Sequence, residues 1–459
     1  MWTPDLPTDG SPIFRQLFAA LERAIADGVL GVGTRLPPQR SLAERLGVSV
    51  GTVTRAYEEA DRQGLTVGHV GRGTFVAGAQ GPDSPRKPSE IVDLSMNCPP
   101  MIAAERLLAE TWGKVRRRRD FLDVLTYAPI EGSLHHRRLV ASWLARTARL
   151  EPPAPGRIVI TAGCQAAMDI VMSHLCGHGD VILAEELTFS GIKAIAQSRG
   201  YKLVGVPMDA EGIEPDALTR IAKASGSTVL YTMPTLHNPT GRTMSISRRK
   251  EIIKIARKAK ITIVEDDNYA VYADSSSSVT PLASFAPDIC YYVSGFSKSI
   301  APGLRTGFAI APDENSAIRL SQGVRTSCFA AQSMGLLLAQ QAIEDGAAEQ
   351  IMKENRRLVR FRNAFLVKLL GGEDAKAIAP WSPHIWIPMG ESECDRVEAK
   401  LLRDGVRVTP ASVPRLPKAR ECGLRICMGA PRREEDFRRA ALQLHRVILQ
   451  AKSPDQAFV

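Results

Sequence analysis

Apolar residues recur at helical spacing at Ile13, Leu17, Ala20, Leu21, Ala24 and Ile25 and stop at Gly28 and Gly31, which predicts an amphipathic helix near the start of the chain. A second, shorter helix is expected after Leu36-Pro37-Pro38-Gln39, with Leu42, Ala43 and Leu46 facing inward and Gly47 closing it. Ser49 is placed to cap a third, whose inner face is Val53, Ala56, Tyr57 and Ala60. The period then changes from helical to alternating. Residues 65–67 and 74–76 flank His69-Val70-Gly71-Arg72-Gly73 as a hairpin with a glycine turn. Residues 79–90 carry no apolar period and are rich in Pro, Gly and Ser, so the linker is placed at 79–92. Beyond it about 370 residues alternate short β-branched runs with helical patterns, which predicts an α/β unit over 93–459.

Two helices joined by a short Gly-containing turn have the geometry of a helix-turn-helix. The outward residues Ser49, Gly51, Thr52 and Arg55 are short or basic, so the helix N-terminus can approach phosphates and base edges in a major groove. The same periodicity also fits a plain three-helix bundle; the hairpin that follows favours a wing. Three segments, Leu36-Pro37-Pro38-Gln39-Arg40-Ser41-Leu42-Ala43, Val48 to Tyr57 and Gly71-Arg72-Gly73-Thr74-Phe75-Val76, together resemble the winged helix-turn-helix of GntR-family regulators over nearly all of 11–78. That resemblance implies a DNA-binding domain over 1–78, with Arg40, Ser49, Thr52, Arg55, Arg72 and Gly73 facing double-stranded DNA.

Composition changes this picture little. The 459 residues are 44% hydrophobic and 24% charged, which excludes global disorder. The net charge of +10 permits an anionic partner, yet residues 1–80 hold eight arginines and no lysine against eight carboxylates. The excess therefore belongs to the rest of the chain, where Arg116 to Arg119 reads as a solvated helix face, with contact to DNA as the alternative. The eight cysteines form no CxxC pair and no regular spacing, so neither a metal site nor a disulfide framework is expected. Asp5 and Asp9 stand where a signal peptide needs basic and then apolar residues, and no apolar run is long enough to span a bilayer. A cytoplasmic protein is expected.

Candidate chemistry centres on Ser297-Lys298, just after the β-like run 289–293. A lysine at the end of a buried strand can be neutralised by Schiff-base formation with an aldehyde such as pyridoxal 5′-phosphate. That cofactor needs a phosphate anchor, a carboxylate for its ring nitrogen, donors to its ring oxygen and a flat side chain against its face. Thr161-Ala162-Gly163-Cys164-Gln165 follows the run 158–160 and opens a helix, so the amides of Gly163 to Gln165 can cradle a phosphate. Ser297 and Arg305 add a hydroxyl and a bidentate cation. Asn238, in Asn238-Pro239-Thr240-Gly241, supplies an amide; Asp266 follows the run 261–264, Tyr269 lies three residues on, and Phe189 offers a ring face. Each taken singly has a structural reading as well: cap, turn, surface carboxylate, core aromatic or ion pair.

In their joint order these residues resemble fold-type I, class I/II aminotransferases from about Asp93 to the C-terminal helix, with a small α+β lobe mainly over 340–459. The resemblance implies Lys298 as Schiff-base lysine, Asp266 on the pyridine nitrogen, Asn238 and Tyr269 on the phenolate oxygen and Phe189 on the ring. It also implies Tyr127 reaching the phosphate of the other subunit, and Arg425, in Leu424-Arg425-Ile426, holding a substrate carboxylate. The chain departs from the pattern at Gly295, often Ser or Thr, at Leu187, usually Pro, and at Phe189 in place of Tyr.

A GntR-type winged helix fused to such a domain resembles the MocR-type transcription regulators. Its implications are a homodimer that binds operator DNA and senses pyridoxal phosphate or an amino acid or amine. The alternatives are a working aminotransferase with a tethered DNA-binding domain and a cofactor-free dimerising scaffold.

Overall fold

The computed structural model describes residues 2–4, 12–27, 29–31, 33–62, 65–69, 73–76, 91–273, 279–371 and 379–452. Two compact units divide at Ser89/Glu90.

In the first unit, helices Ile13–Ala26, Gln39–Leu46 and Val50–Arg62 precede an antiparallel hairpin of Thr66–His69 and Gly73–Val76, in which Thr66 faces Val76. Leu17, Leu21, Leu42, Val53, Ala56 and Ala60 are sealed from solvent, so the helical stripes meet as expected. Ile13 is instead exposed, and Phe14 and Phe18 pack against this core. The Ser49 hydroxyl accepts the Thr52 amide at 3.2 Å, capping the third helix. One feature has no counterpart in the periodicity. Residues 33–36 run beside the hairpin, with Leu36 N donating to Thr74 O at 2.8 Å and Val76 N to Thr34 O at 2.9 Å. The wing is thereby tied to the start of the second helix, where the Tyr57 hydroxyl also donates to Pro37 O at 2.9 Å.

The second unit is built on a seven-stranded sheet in the order Ile158–Thr161, Gly307–Ile310, Cys290–Gly295, Thr262–Asp266, Val229–Thr232, Val181–Glu185, Lys202–Val206. All neighbours are parallel except Gly307–Ile310, which is antiparallel to both its partners. The inner strands are buried at every position except Thr262 and Val181, the first residues of their strands, as helices on both faces of a parallel sheet require. A smaller α+β portion carries the helices Ala347–Leu370, Glu391–Arg403 and Glu434–Lys452 and pairs His384–Pro388 with Gly423–Cys427. It also recruits the start of the unit, because Val92 pairs with Val406 and is buried; the folded unit thus includes Val92, inside the span expected to be linker. One hydrophobic core runs through the sheet and this portion, joining Val264 and Phe308 to Ile385 and Ile426. Among the described residues no helix is long and apolar enough to cross a membrane.

Candidate functional site

Parallel strands send their C-terminal ends to one edge of the sheet, where the loops that follow can converge on a ligand. After Thr161 the chain turns at Gly163 (φ +96°) into the helix Cys164–Leu175. A side chain there is disfavoured by that φ and would also push the Arg305 guanidinium aside, since a Cβ on Gly163 would lie 2.7 Å from one of its nitrogens. Arg305 donates to Ala162 O at 3.2 Å, so a cation flanks a helix N-terminus, an arrangement suited to a phosphate. One amide of the expected cradle already has a backbone partner. The Gly163 amide donates to Thr161 O at 2.8 Å, leaving Cys164 and Gln165, whose amides in the first turn have no intrahelical carbonyl. The Gln165 side chain donates to Gly191 O at 3.0 Å, and the Phe189 ring lies against the same glycine.

Three acidic residues, Glu265, Asp266 and Asp267, follow one another, and strand alternation decides which one meets the site. Glu265 pairs with buried Arg249 at 3.4 Å, and Asp267 accepts from the Tyr292 hydroxyl at 3.0 Å. Asp266, fully buried, accepts from the Tyr231 hydroxyl at 2.8 Å and Asn268 Nδ2 at 2.6 Å, with Cys164 Sγ at 3.9 Å. Burial pushes its pKa up to about 6, against the pull of Tyr231 and Asn268. A cationic ring nitrogen beside Asp266 would hold the carboxylate form to lower pH.

Lys298 follows the strand Cys290–Gly295, and its Nζ donates to Asn97 O and lies 5.8 Å from the centre of the Tyr269 ring. Burial lowers its pKa, which favours the neutral, nucleophilic amine. The Tyr269 hydroxyl accepts from Asn97 Nδ2 at 2.9 Å and Asn238 Nδ2 at 3.5 Å. Asn238 Oδ1 in turn accepts from Arg425 at 2.7 Å, and the same guanidinium donates to Ser95 O at 2.7 Å and the Thr409 hydroxyl at 2.9 Å. Arg425 Nε is buried without a partner among the described residues.

Lys298, Tyr269, Asn238 and Arg425 are thus linked through short contacts that include Asn97, while Asp266 contacts Cys164, which with Gly163, Gln165, Phe189 and Arg305 makes up a second group. Tyr127 does not join them: it is 85% exposed, with its ring against Phe329 at 4.9 Å. Ser297 is half-buried beside Lys298. Gly295 has a steric reason, because a Cβ there would come within 2.8 Å of Thr306 O on the antiparallel strand. Leu187 is buried with Met208, Trp386 and Ala419. In the first unit Arg40, Ser49 and Arg55 are exposed and Thr52 is half-buried; Arg72 lies outside the described residues, and Gly73 opens the second wing strand. Sequence reasoning missed Asn97, Tyr231, Asn268, His384 and Thr409. Only Asn268, two residues after Asp266, lay close enough in the chain to be found.

These residues fit the cofactor on their own chemistry: an amine of lowered pKa, a buried carboxylate short of a cation, and a cation-flanked helix start on glycine. Fold and site together define a pyridoxal-phosphate protein of fold type I. The chain belongs to the family "Aminotransferase class I and II", whose model matches residues 89–444, and residues 14–76 match "Bacterial regulatory proteins, gntR family". This pairing is that of the MocR-type regulators. The chain is 25% identical over 454 residues to the uncharacterized HTH-type transcriptional regulator YdeF of Bacillus subtilis (strain 168), covering 97% of this chain and 96% of the relative. It is 26% identical over 397 residues to the probable rhizopine catabolism regulatory protein MocR of Rhizobium meliloti, covering 81% and 78%. Among solved structures, an archaeal alanine:glyoxylate aminotransferase superposes with a TM-score of 0.71 at 23% identity, covering 78% of this chain and 91% of that one.

Proposed function

We propose that the protein is a DNA-binding transcription regulator whose aminotransferase-like unit binds pyridoxal phosphate on Lys298 and senses the cofactor, or an amino acid or amine that reacts with it. One observation carries this reading: a gntR-family module and a site fitted to the cofactor occur in one chain, and a relative that covers 97% of it is named as an uncharacterized HTH-type transcriptional regulator. The domains are assigned as 1–78 for the reader, 79–91 for the linker and 92–459 for the sensor, Val92 passing from linker to sensor because it pairs with Val406.

Pyridoxal phosphate supplies an aldehyde that condenses with amines and a ring that withdraws electrons from the carbon it holds. The chain's residues bind and orient it. Arg305, Ser297 and the amides of Cys164 and Gln165 hold the phosphate, Asp266 keeps the ring nitrogen protonated, Asn238 and Tyr269 hold the ring oxygen, and Phe189 covers a face. Arg425 receives the carboxylate of an amino acid. A homodimer is supported by Leu122, Leu125, Tyr127 and Phe329, large apolar side chains between 45% and 85% exposed, which a second copy would cover. Tyr127 then serves the partner's phosphate site, and two readers address two half-sites on double-stranded DNA.

The test is a mobility-shift assay on the DNA flanking the gene, with and without pyridoxal phosphate and a panel of amines and amino acids. A sequence-dependent shift that responds to the small molecules is expected; its absence under every condition refutes the reading. The presence of both Lys298 and Asp266 keeps a second reading, a transaminase with a tethered reader, in play, because a proton-shuttling lysine and an electron sink meet its needs. Catalytic release of a 2-oxo acid from an amino acid would establish it.

A further inference from the structure

The Tyr269 hydroxyl receives two hydrogen bonds, from Asn97 Nδ2 and Asn238 Nδ2, and makes none among the described residues. Amide nitrogens only donate, so the phenolic oxygen is an acceptor twice over. Its own proton is left for an acceptor that a ligand brings. What fixes the Asn97 amide in this orientation is a residue almost three hundred positions away. Asn97 Nδ2 is also 3.0 Å from His384 Nδ1, and His384 Nε2 is 3.0 Å from His237 O. A carbonyl only accepts, so Nε2 carries the imidazole hydrogen and Nδ1 is a bare lone pair. Burial first, then the nearby Arg425 and Lys298 cations, hold His384 neutral, with its pKa pulled down to about 3. With Nδ1 unprotonated, an Asn97 turned the other way would set an oxygen against a lone pair. The same residue's backbone carbonyl accepts from Lys298 Nζ.

We infer that Asn97 and His384 are positioning residues: the tautomer of His384, set by the His237 carbonyl, orients the Asn97 amide, and that amide forces the Tyr269 hydroxyl to act as a donor toward the ring oxygen of the bound cofactor. This rests on the assignment of Tyr269 to that oxygen. Through Asn97 one short loop addresses both the lysine and the tyrosine of the site.

The experiment compares full-length variants by affinity for pyridoxal phosphate and by the pH midpoint of its lysine-linked absorbance. Tyr269→Phe is the reference. Asn97→Asp offers the tyrosine an acceptor in place of a donor, and His384→Leu removes the lone pair. Each is expected to raise the Kd about tenfold and to move the midpoint in the direction set by Tyr269→Phe. His384→Gln, which can accept from Asn97 and donate to His237 O, is expected to restore both to within about twofold, a rescue that packing loss would not give. Asn97 is half-buried at the loop, so its variant reports even where His384→Leu does not fold. The inference is overturned if Tyr269→Phe shifts the midpoint while Asn97→Asp titrates as wild type. If Tyr269→Phe is itself silent, the assignment beneath it falls and the inference with it.

Discussion

The two units place their functional side chains in opposite ways. In the reader the candidate DNA contacts Arg40, Ser49 and Arg55 are exposed, and Ser49 bonds to Thr52, three residues on, through both the Thr52 amide and its hydroxyl. In the sensor Asp266, Tyr269 and Asn238 are almost wholly buried, and the bonds that hold the site join Asn97 to Tyr269 and Ser95 to Arg425, far apart in sequence. A surface that meets a polyanion can leave its donors in water until the partner arrives. A site that must tune an amine and a carboxylate has to remove water first, and every polar group then needs a protein partner. The reader is therefore expected to tolerate single substitutions that the sensor does not.

The largest effect tests the separation outright. Lys298→Ala is expected to abolish the lysine-linked absorbance of the cofactor while leaving the helix-turn-helix folded; circular dichroism and absorbance on the same sample check both. Next is Asp266. Its raised pKa means that the carboxylate is lost as pH falls through about 6, so cofactor affinity should weaken below that value and level off above it. Asp266→Asn should cost about 100-fold in Kd and flatten that pH dependence, measured by titration at several pH values. Equal pH slopes for variant and wild type would remove Asp266 from the ring nitrogen. In the reader, Arg55→Ala is expected to weaken operator binding about tenfold with the cofactor spectrum unchanged, by mobility shift and absorbance in parallel. A change in cofactor affinity there would break the comparison. The smallest effect is Ser49→Ala, which removes a helix cap and should cost the reader about 1 kcal/mol in denaturant unfolding.

The same contrast explains what was legible in the chain. The reader's helices follow from stripes such as Leu17/Leu21 and Val53/Ala56/Tyr57/Ala60, and its cap from Ser49, because these are local periodicities. The sensor's strands, and Asp266 and Lys298 at or just beyond their ends, are legible for a similar reason: each follows a β-branched or apolar run, whereas Arg305 lies between strands and is legible only through the motif around it. Local pattern has nothing to say about partners across the fold. Tyr231 reads as one more core aromatic until it is found donating to Asp266, and His384 as a strand residue until it meets Asn97. The two-residue bond from the Gly163 amide back to Thr161 likewise has no signature in residue type. Gly295, a departure in the sequence, is explained by the antiparallel strand beside it.

The bond from Arg425 to Ser95 has a consequence for how the protein is made. A ribosome releases the residues of the reader's core, from Trp2 to Val76, hundreds of residues before it delivers Arg425. The sensor's first segment, Val92 included, waits unpaired until Val406 emerges. Through most of its synthesis the nascent chain therefore has a folded reader and an incomplete sensor, and a product truncated before Arg425 would retain the DNA-reading module while lacking the carboxylate arm of the site.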